Sequence, residues 1–251
     1  MNQEKNSTSC NRVLLEVCVT SPDYALAAQR AGADRIELCC DLDCGGLTPG
    51  ARLMEAARKQ LQIPIHVLIR PRPGDFVYSA SEFQAMRKAI QTAKDLKMDG
   101  IVLGILDQNS HVDVARTRQL VELAHPLPVT FHRAFDETDT SLNASLDSLE
   151  AVIETGATRL LTSGGRPKAI EGLSTLARLI KEASGRVSVM PAGGITPANV
   201  SRVVTATSAR EVHGTLLTSA LRKRAEGADR HLQTERYYRR IRKATLILQQ
   251  L

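Results

Sequence analysis

Nowhere in the sequence do about 18 apolar residues run consecutively, the length a membrane-spanning helix requires, so no helix is expected to cross a bilayer. Aromatic residues are scarce at 3%, with no tryptophan, which deprives the chain of the stacking platforms that single-stranded nucleic acid uses. The opening residues, 1–12, are polar and lack the apolar core of a secretory signal, so a cytoplasmic location is expected. Paired cysteines are missing too: the five present, Cys10, Cys18, Cys39, Cys40 and Cys44, are odd in number, which argues against a disulfide framework and for free thiols. What remains is ordinary globular composition, 43% hydrophobic and 24% charged with 16 Gly and 10 Pro in 251 residues, which excludes collagen and disorder.

A net charge of +6 raises the question of nucleic acid, but the excess sits at one end. Residues 221–251 hold nine Lys or Arg against three Asp or Glu, while the other 220 residues carry 24 of each sign. A neutral body with few aromatics is not a nucleic-acid surface. In the tail, Tyr237, Ile241, Ala244 and Leu248 recur at helical spacing among Arg236, Arg239, Arg240, Arg242 and Lys243. This reads as an amphipathic last helix packed on the body with a solvated basic face, or a face used in an oligomer.

Short β-rich runs alternate with longer helical patterns from Val13 onward, the signature of a parallel α/β protein. Eight strands are expected, over 13–19, 35–39, 64–69, 100–104, 128–131, 159–162, 187–190 and 211–213. Helical faces follow from Phe83, Met86, Ile90 and Ala93, from Leu142, Leu146, Leu149 and Ile153, and from Ile170, Leu173, Leu176 and Ile180. Ser21-Pro22, Thr48-Pro49 and Thr196-Pro197 each predict an N-cap hydroxyl before a proline at the first helical position. Gly32 and Gly156, each in a Gly-Ala-x-Arg echo, predict helix ends just before a strand. Eight such units predict a closed (β/α)8 TIM barrel, a single domain over 13–251 with a basic C-terminal helix, preceded by a disordered tail over 1–12; residues 216–233 read as irregular. An open doubly wound sheet is disfavoured because Val19-Thr20-Ser21-Pro22 has no glycine-rich turn.

In a barrel, chemistry belongs at the carboxyl ends of the strands. Glu16-Val17-Cys18 and Glu37-Leu38-Cys39 place a Glu and a Cys on one face of each of two neighbouring strands. Adjacent thiolates would form a soft site suited to Cu(I); the alternative is that Cys18 and Cys39 are small buried hydrophobes. Interior glutamates need a partner, for which Arg70 is the candidate, in either a structural or a substrate-facing pair. His132, Arg133 and Asp136 cluster after the fifth strand, where His132 offers general acid or base chemistry. Arg70 and Arg72, in a rigid Pro-Arg-Pro loop, can fork onto a carboxylate or phosphate. Gly164 after the sixth strand and Gly193-Gly194 after the seventh expose backbone N–H groups for an anion, with His213 beside them or simply buried.

These motifs, together with Asp34-Arg35-Ile36, Gly74-Asp75-Phe76, Leu161-Thr162-Ser163-Gly164 and Glu211-Val212-His213, make the sequence resemble the copper homeostasis protein CutC family over about four fifths of its length, Val13 to His213. The resemblance implies a cytoplasmic TIM barrel, dimeric or otherwise oligomeric, with Cu(I) ligands at the positions of Cys18 and Cys39. The chain departs from the family pattern at Pro73, at Ala192-Gly193-Gly194, and at Gly214-Thr215-Leu216 with the segment after it; Cys40 and Cys44 are additional thiols. Two functions are therefore expected in competition. One is a cytosolic Cu(I) binder using Cys18 and Cys39, with Cys40 or Cys44 as a third ligand. The other is an enzyme for a small anionic, even phosphorylated, metabolite, with Glu16, Glu37, His132 and Asp136 in proton transfer and Arg70, Arg72, Arg133, Gly164, Gly193, Gly194 and His213 as anchors. A scaffold without chemistry is the third reading.

Overall fold

The computed structural model describes residues 12–217 and 228–251. Eight parallel strands form its centre: β1 (Leu14–Val19), β2 (Arg35–Leu38), β3 (Ile65–Leu68), β4 (Gly100–Leu103), β5 (Val129–Phe131), β6 (Arg159–Thr162), β7 (Ser188–Pro191) and β8 (Glu211–Gly214). Each lies within one residue of its expected bounds. Hydrogen-bonded order is β7-β6-β5-β4-β3-β2-β1-β8, the order of a barrel. Between β7 and β8, among the described residues, no ladder forms; Pro191 at the end of β7 has no N–H to give. A side-chain bond crosses there instead, from the Ser188 hydroxyl to Glu211 at 2.6 Å.

Helices α1 (Pro22–Arg30), α2 (Ala51–Gln60), α3 (Ala80–Asp95), α4 (Val114–Ala124), α5 (Leu142–Glu154), α6 (Leu173–Ala183), α7 (Val200–Thr207) and α8 (Ala228–Leu248) are described around the sheet. Outward positions such as Val17, Ile36, Val67, Ile101, Phe131 and Val212 are apolar and bury against this ring. Ser21 caps α1 as expected, accepting from the Tyr24 N–H, with Pro22 at the first position. The other two junctions are corrected. Thr48 caps nothing: Gly50 precedes α2, and the Thr48 hydroxyl accepts the Arg70 N–H at 2.8 Å. Thr196 lies one turn before α7, whose N-cap position is Asn199. Gly32 and Gly156 do end their helices with left-handed backbone, at φ of +93° and +84°.

α3 buries the expected Phe83, Met86, Ile90 and Ala93. In α5 and α6 the buried stripe is rotated by about a residue, to Ser145, Leu149 and Val152 and to Leu176, Leu179 and Ala183. Leu142, the first residue of α5, is left exposed, and Ile170 falls in a 3-10 turn, Ala169–Glu171, before α6. α8 packs on α1 through Tyr237, Ile241, Ala244 and Leu248, all buried, with the Tyr24 and Tyr237 rings 4.8 Å apart edge to face. It starts earlier than the sequence suggested, inside the stretch read as irregular. The N-terminal tail lies outside the described residues except for Arg12, which pairs with Asp34.

Inward positions are unusual for a barrel, which is normally filled by Val, Ile and Leu. Here Glu16, Arg35, His66, Arg159, Ser188 and Glu211 occupy them. Gly100 makes this possible on β4: a Cβ there would lie 2.4 Å from the His66 ring, so only hydrogen lets the imidazole lie across the strand. Gly100→Ala is expected to destabilise the protein by about 1–3 kcal/mol through overpacking. In urea unfolding, adding His66→Ala to Gly100→Ala is expected to cost less than the sum of the two single changes.

Candidate functional site

The polar filling is a connected ion network. Arg35 sits between Glu16, which its Nε contacts directly, and Glu211, 2.6 Å from its Nη2. Glu211 also takes Arg159 at 3.0 Å, so two carboxylates face two guanidiniums. Burial alone would raise the Glu16 pKa, but Arg35 and the hydrogen bond from His213 outweigh it and hold the carboxylate well below its usual range. Glu211 is likewise lowered against burial, chiefly by Arg35. Arg35 therefore takes the partner role expected of Arg70. The alternation that paired Glu37 with Cys39 also carries Arg35 inward two residues earlier, and the same rule places Glu211 beneath His213.

Above the network the barrel mouth opens into a cavity of about 360 Å³. Cys18, Glu37 and His213 stand on one side of it, with one ligand atom from each within 4.8 Å of the others. The Cys18 and Cys39 sulfurs are 3.4 Å apart and buried, which places the two thiols side by side as alternation on adjacent strands requires. The hydrogen bond with Cys39 and burial raise the Cys18 pKa. Glu16 takes His213 Nδ1 at 2.7 Å, which leaves Nε2 for the cluster. Burial would lower the His213 pKa, but Glu37 and Glu16 raise it. Glu37 is raised by desolvation, and its buried Oε2 has no partner among the described residues. Cys40 points the other way on the extended chain, half-buried, with its pKa pushed up to about 12 by burial and Asp41. Cys44 is exposed and bonds the Asp41 carbonyl, so neither joins the cluster.

Across the mouth stand His132, Arg133, Gly193 and Gly194, with Arg70 and Arg240 at the rim. His132 accepts the Ala134 N–H on Nδ1 at 3.1 Å, and burial with Arg70 nearby lowers its pKa to about 3. It is a neutral imidazole whose one N–H is on Nε2. Arg70 spends its terminal nitrogens on the carbonyls of Cys44, Gly46 and Gly74. Arg240, which the sequence placed in a solvated basic face, reaches the rim from α8 and donates to the Leu216 carbonyl at 2.9 Å.

Three expected residues lie elsewhere. Arg72 turns outward to Glu82 and Asp75, and each of its nitrogens is bonded, so it has no donor left for an anion. Asp136 accepts from Thr162, Ser163, Gly165 and Arg133, an organiser of the loop after β6 with no lone pair aimed at the mouth. The Gly164 N–H is spent on the Thr162 hydroxyl and does not line the cavity.

An eight-stranded parallel barrel with thiols, a carboxylate and an imidazole converging at the carboxyl ends of its strands belongs to a recognisable class, the (β/α)8 TIM barrel. The chain belongs to the CutC family, whose sequence profile matches residues 13–218. The human copper homeostasis protein cutC homolog is 44% identical over 205 residues, covering 82% of this chain and 74% of the relative. A CutC family protein of Chromobacterium violaceum is 46% identical over 217 residues, 85% and 86% of the two chains. The crystal structure of a CutC protein from Streptococcus agalactiae superposes with a TM-score of 0.77 at 33% identity, covering 82% of this chain and all of that one. A thiamine phosphate pyrophosphorylase from Pyrococcus furiosus, 17% identical with a TM-score of 0.61 over 96% of this chain and 97% of its own, shares the fold alone.

Two measurements check these electrostatics. Arg35→Met leaves two buried carboxylates short of a partner and is expected to cost about 3–5 kcal/mol in urea unfolding, with part of the loss recovered in Glu16→Gln/Arg35→Met. His66, lowered to about 4 chiefly by desolvation, and His132, at about 3, both resist the proton that the unfolded chain takes up near pH 6.5. Stability is expected to fall as pH drops from 6.5 toward 4, by about 1.4 kcal/mol per pH unit for each histidine, offset in part by Glu37, whose raised pKa acts in the opposite sense. His132→Phe is expected to lower that slope by about 1.4 kcal/mol per pH unit.

Proposed function

We propose that this protein is a copper-binding barrel that takes Cu(I) at its mouth through the Cys18 and Cys39 thiolates. The observation that carries the reading is the 3.4 Å approach of two buried sulfurs in a chain of the CutC family. Thiolate is a soft donor matched to Cu(I), and the dry setting shields the ion from exchange with small thiols. Glu37 and His213 extend the donor set where Cys40 and Cys44 do not. The Glu16 carboxylate on Nδ1 fixes the His213 ring with Nε2 free, the second-sphere arrangement that orients a metal-binding imidazole. Copper is cargo in this reading, handled in the cytosol by a homodimer or higher homo-oligomer. No described helix is long and apolar enough to cross a membrane.

The enzymatic alternative keeps Glu37, His132, Arg133, Gly193 and Gly194 at the cavity but loses Asp136, Arg72 and Gly164 from its machinery. Glu16 is committed to Arg35 and His213 and has no free face for proton transfer.

An anaerobic Cu(I) titration of reduced protein against a chromogenic chelator tests the copper reading. One tight equivalent is expected in the wild type and none in Cys18→Ala/Cys39→Ala, with circular dichroism showing that the variant remains folded. Weak binding, or binding unchanged in the folded variant, overturns it.

A further inference from the structure

The cavity is larger than an ion needs, and its two sides differ in kind. Cys18, Glu37 and His213 gather on one side, whereas the other nitrogen-bearing side chains of the lining, Arg70, His132, Arg133 and Arg240, offer N–H donors. His132, 6% exposed, presents an Nε2 with no partner among the described residues. Its ring is wedged in place: a Cβ on Gly104 would lie 2.5 Å from Nδ1, and the Phe76 ring packs against it at 4.9 Å. Arg70, 7% exposed, has no carboxylate in ion-pair reach among the described residues, and its buried Nε is also unpartnered. Carbonyl oxygens satisfy its terminal nitrogens without neutralising its charge. A buried cation left in this condition favours an anion from outside the chain.

The loop after β7 completes the set. Gly193 and Gly194 have φ of +90° and +67°, which takes them out of the strand ladder, and their N–H groups have no partner among the described residues. A Cβ on Gly193 would sit 3.4 Å from the Arg133 guanidinium carbon, so the missing side chain is what lets Arg133 lie along this loop. Arg240 adds a further guanidinium, bonded to a carbonyl and to no described carboxylate. Of the acidic side chains, Glu37 alone lines the cavity, against Arg70 and Arg240; Arg133 also lines it but is paired with Asp136 behind the wall.

We propose that this donor wall binds a small phosphate monoester, with the phosphate on the Gly193-Gly194 N–H groups and the arginines and a neutral carbonyl or hydroxyl oxygen of the ligand on His132 Nε2–H. Arg70 and Arg240, two guanidiniums with no described carboxylate partner, favour a dianion over a simple carboxylate, while Arg133, paired with Asp136, adds N–H donors without adding net charge. A neutral imidazole donor selects an uncharged oxygen, because it adds a hydrogen bond without adding charge. About 360 Å³ holds a metabolite of a few carbons with its phosphate, at the lower end of ordinary ligand sites. The apolar body of the ligand would lie on Leu68, Phe76 and Ile195. None of these contacts uses Cys18 or Cys39, so the proposal stands apart from the copper reading.

Isothermal titration of the full chain with glycerol 3-phosphate, inorganic phosphate and glycerol tests it. Glycerol 3-phosphate is expected to bind at millimolar Kd or tighter, inorganic phosphate more weakly, and glycerol not at all. Arg240→Met, on the surface of α8, is expected to weaken both phosphates about tenfold. His132→Phe is expected to weaken glycerol 3-phosphate about three- to tenfold and leave inorganic phosphate unchanged. If His132→Phe does not fold, the Nε2–H resonance of His132 in the wild type is expected to shift on adding glycerol 3-phosphate and not on adding glycerol. No saturable binding by the folded wild type, binding insensitive to both substitutions, or an unmoved His132 resonance overturns the proposal.

Discussion

Everything at the mouth of this barrel rests on the four buried charges beneath it. Glu16, Arg35, Arg159 and Glu211 are neutral as a set, and each finds its counter-charge only if the strands hold their present register, Glu16 opposite Arg35 on β2 and Leu14 opposite Glu211 on β8. A slip of one residue would turn the ions outward into the apolar layer beneath the helices, where no partner waits. Such a network is a poor source of net stability, because desolvating its members consumes most of the Coulombic gain. Its value lies in what it forbids. It makes wrong pairings far worse than the right one, in a barrel whose β7–β8 seam has no backbone ladder to enforce closure. The Ser188–Glu211 bond across that seam ties the closure to the same network.

Two carboxylates expected to do chemistry are instead hubs. Glu16 joins the network to His213 and so sets which nitrogen of that ring faces the cluster. On the other side Asp136 gathers the backbone of the β6 loop, the Thr162 and Ser163 hydroxyls and the Arg133 guanidinium. Each is saturated, and each fixes a residue that does face the cavity. Polar groups in a strand-end motif thus divide into those that meet a ligand and those that aim them, and the count of free lone pairs and N–H groups separates the two. Glu37, Arg70 and His132 retain such free atoms; Glu16, Asp136 and Arg72 do not.

The strands, the barrel class and the buried face of the last helix were legible in the sequence because each is governed by a local period. Alternation gave the Cys18–Cys39 neighbours for the same reason: adjacent parallel strands and an inward parity leave little freedom. What the sequence could not convey was which charge answers which. Arg70 and Arg35 are equally placed by parity to meet Glu16, and the difference is depth: Arg35 is on the level of Glu16, whereas Arg70 lies above, held by the carbonyls of the β2 loop. The proline junctions failed for another reason. A Thr-Pro pair signals a turn, but the hydroxyl of Thr48 was taken by the backbone of Arg70, a contact 22 residues away that no local pattern carries. The 3.6-residue period of α5 and α6 was right while its phase was off, since the stripe a helix buries depends on how it leans on the barrel.

The cavity's opposed walls bear on how one site can suit both a soft cation and a phosphate. Thiols and a carboxylate on β1 and β2 are electron-pair donors; on the wall from His132 round to Gly194 the imidazole, the Arg133 guanidinium and the glycine backbone bring N–H groups. Were the two sets intermingled, they would bond one another and leave nothing for a ligand, as happens one layer lower where Glu16 and Arg35 meet. Separation across the barrel is what keeps Glu37 Oε2, Arg70 Nε and His132 Nε2 unpartnered in the folded chain. Three buried polar atoms without partners cost stability that a fold with no further task would recover by replacing them with apolar side chains. Five further buried side-chain atoms lack a partner among the described residues without lining the cavity, so what sets these three apart is that they share one opening, with the thiols on one side of it and the N–H donors on the other.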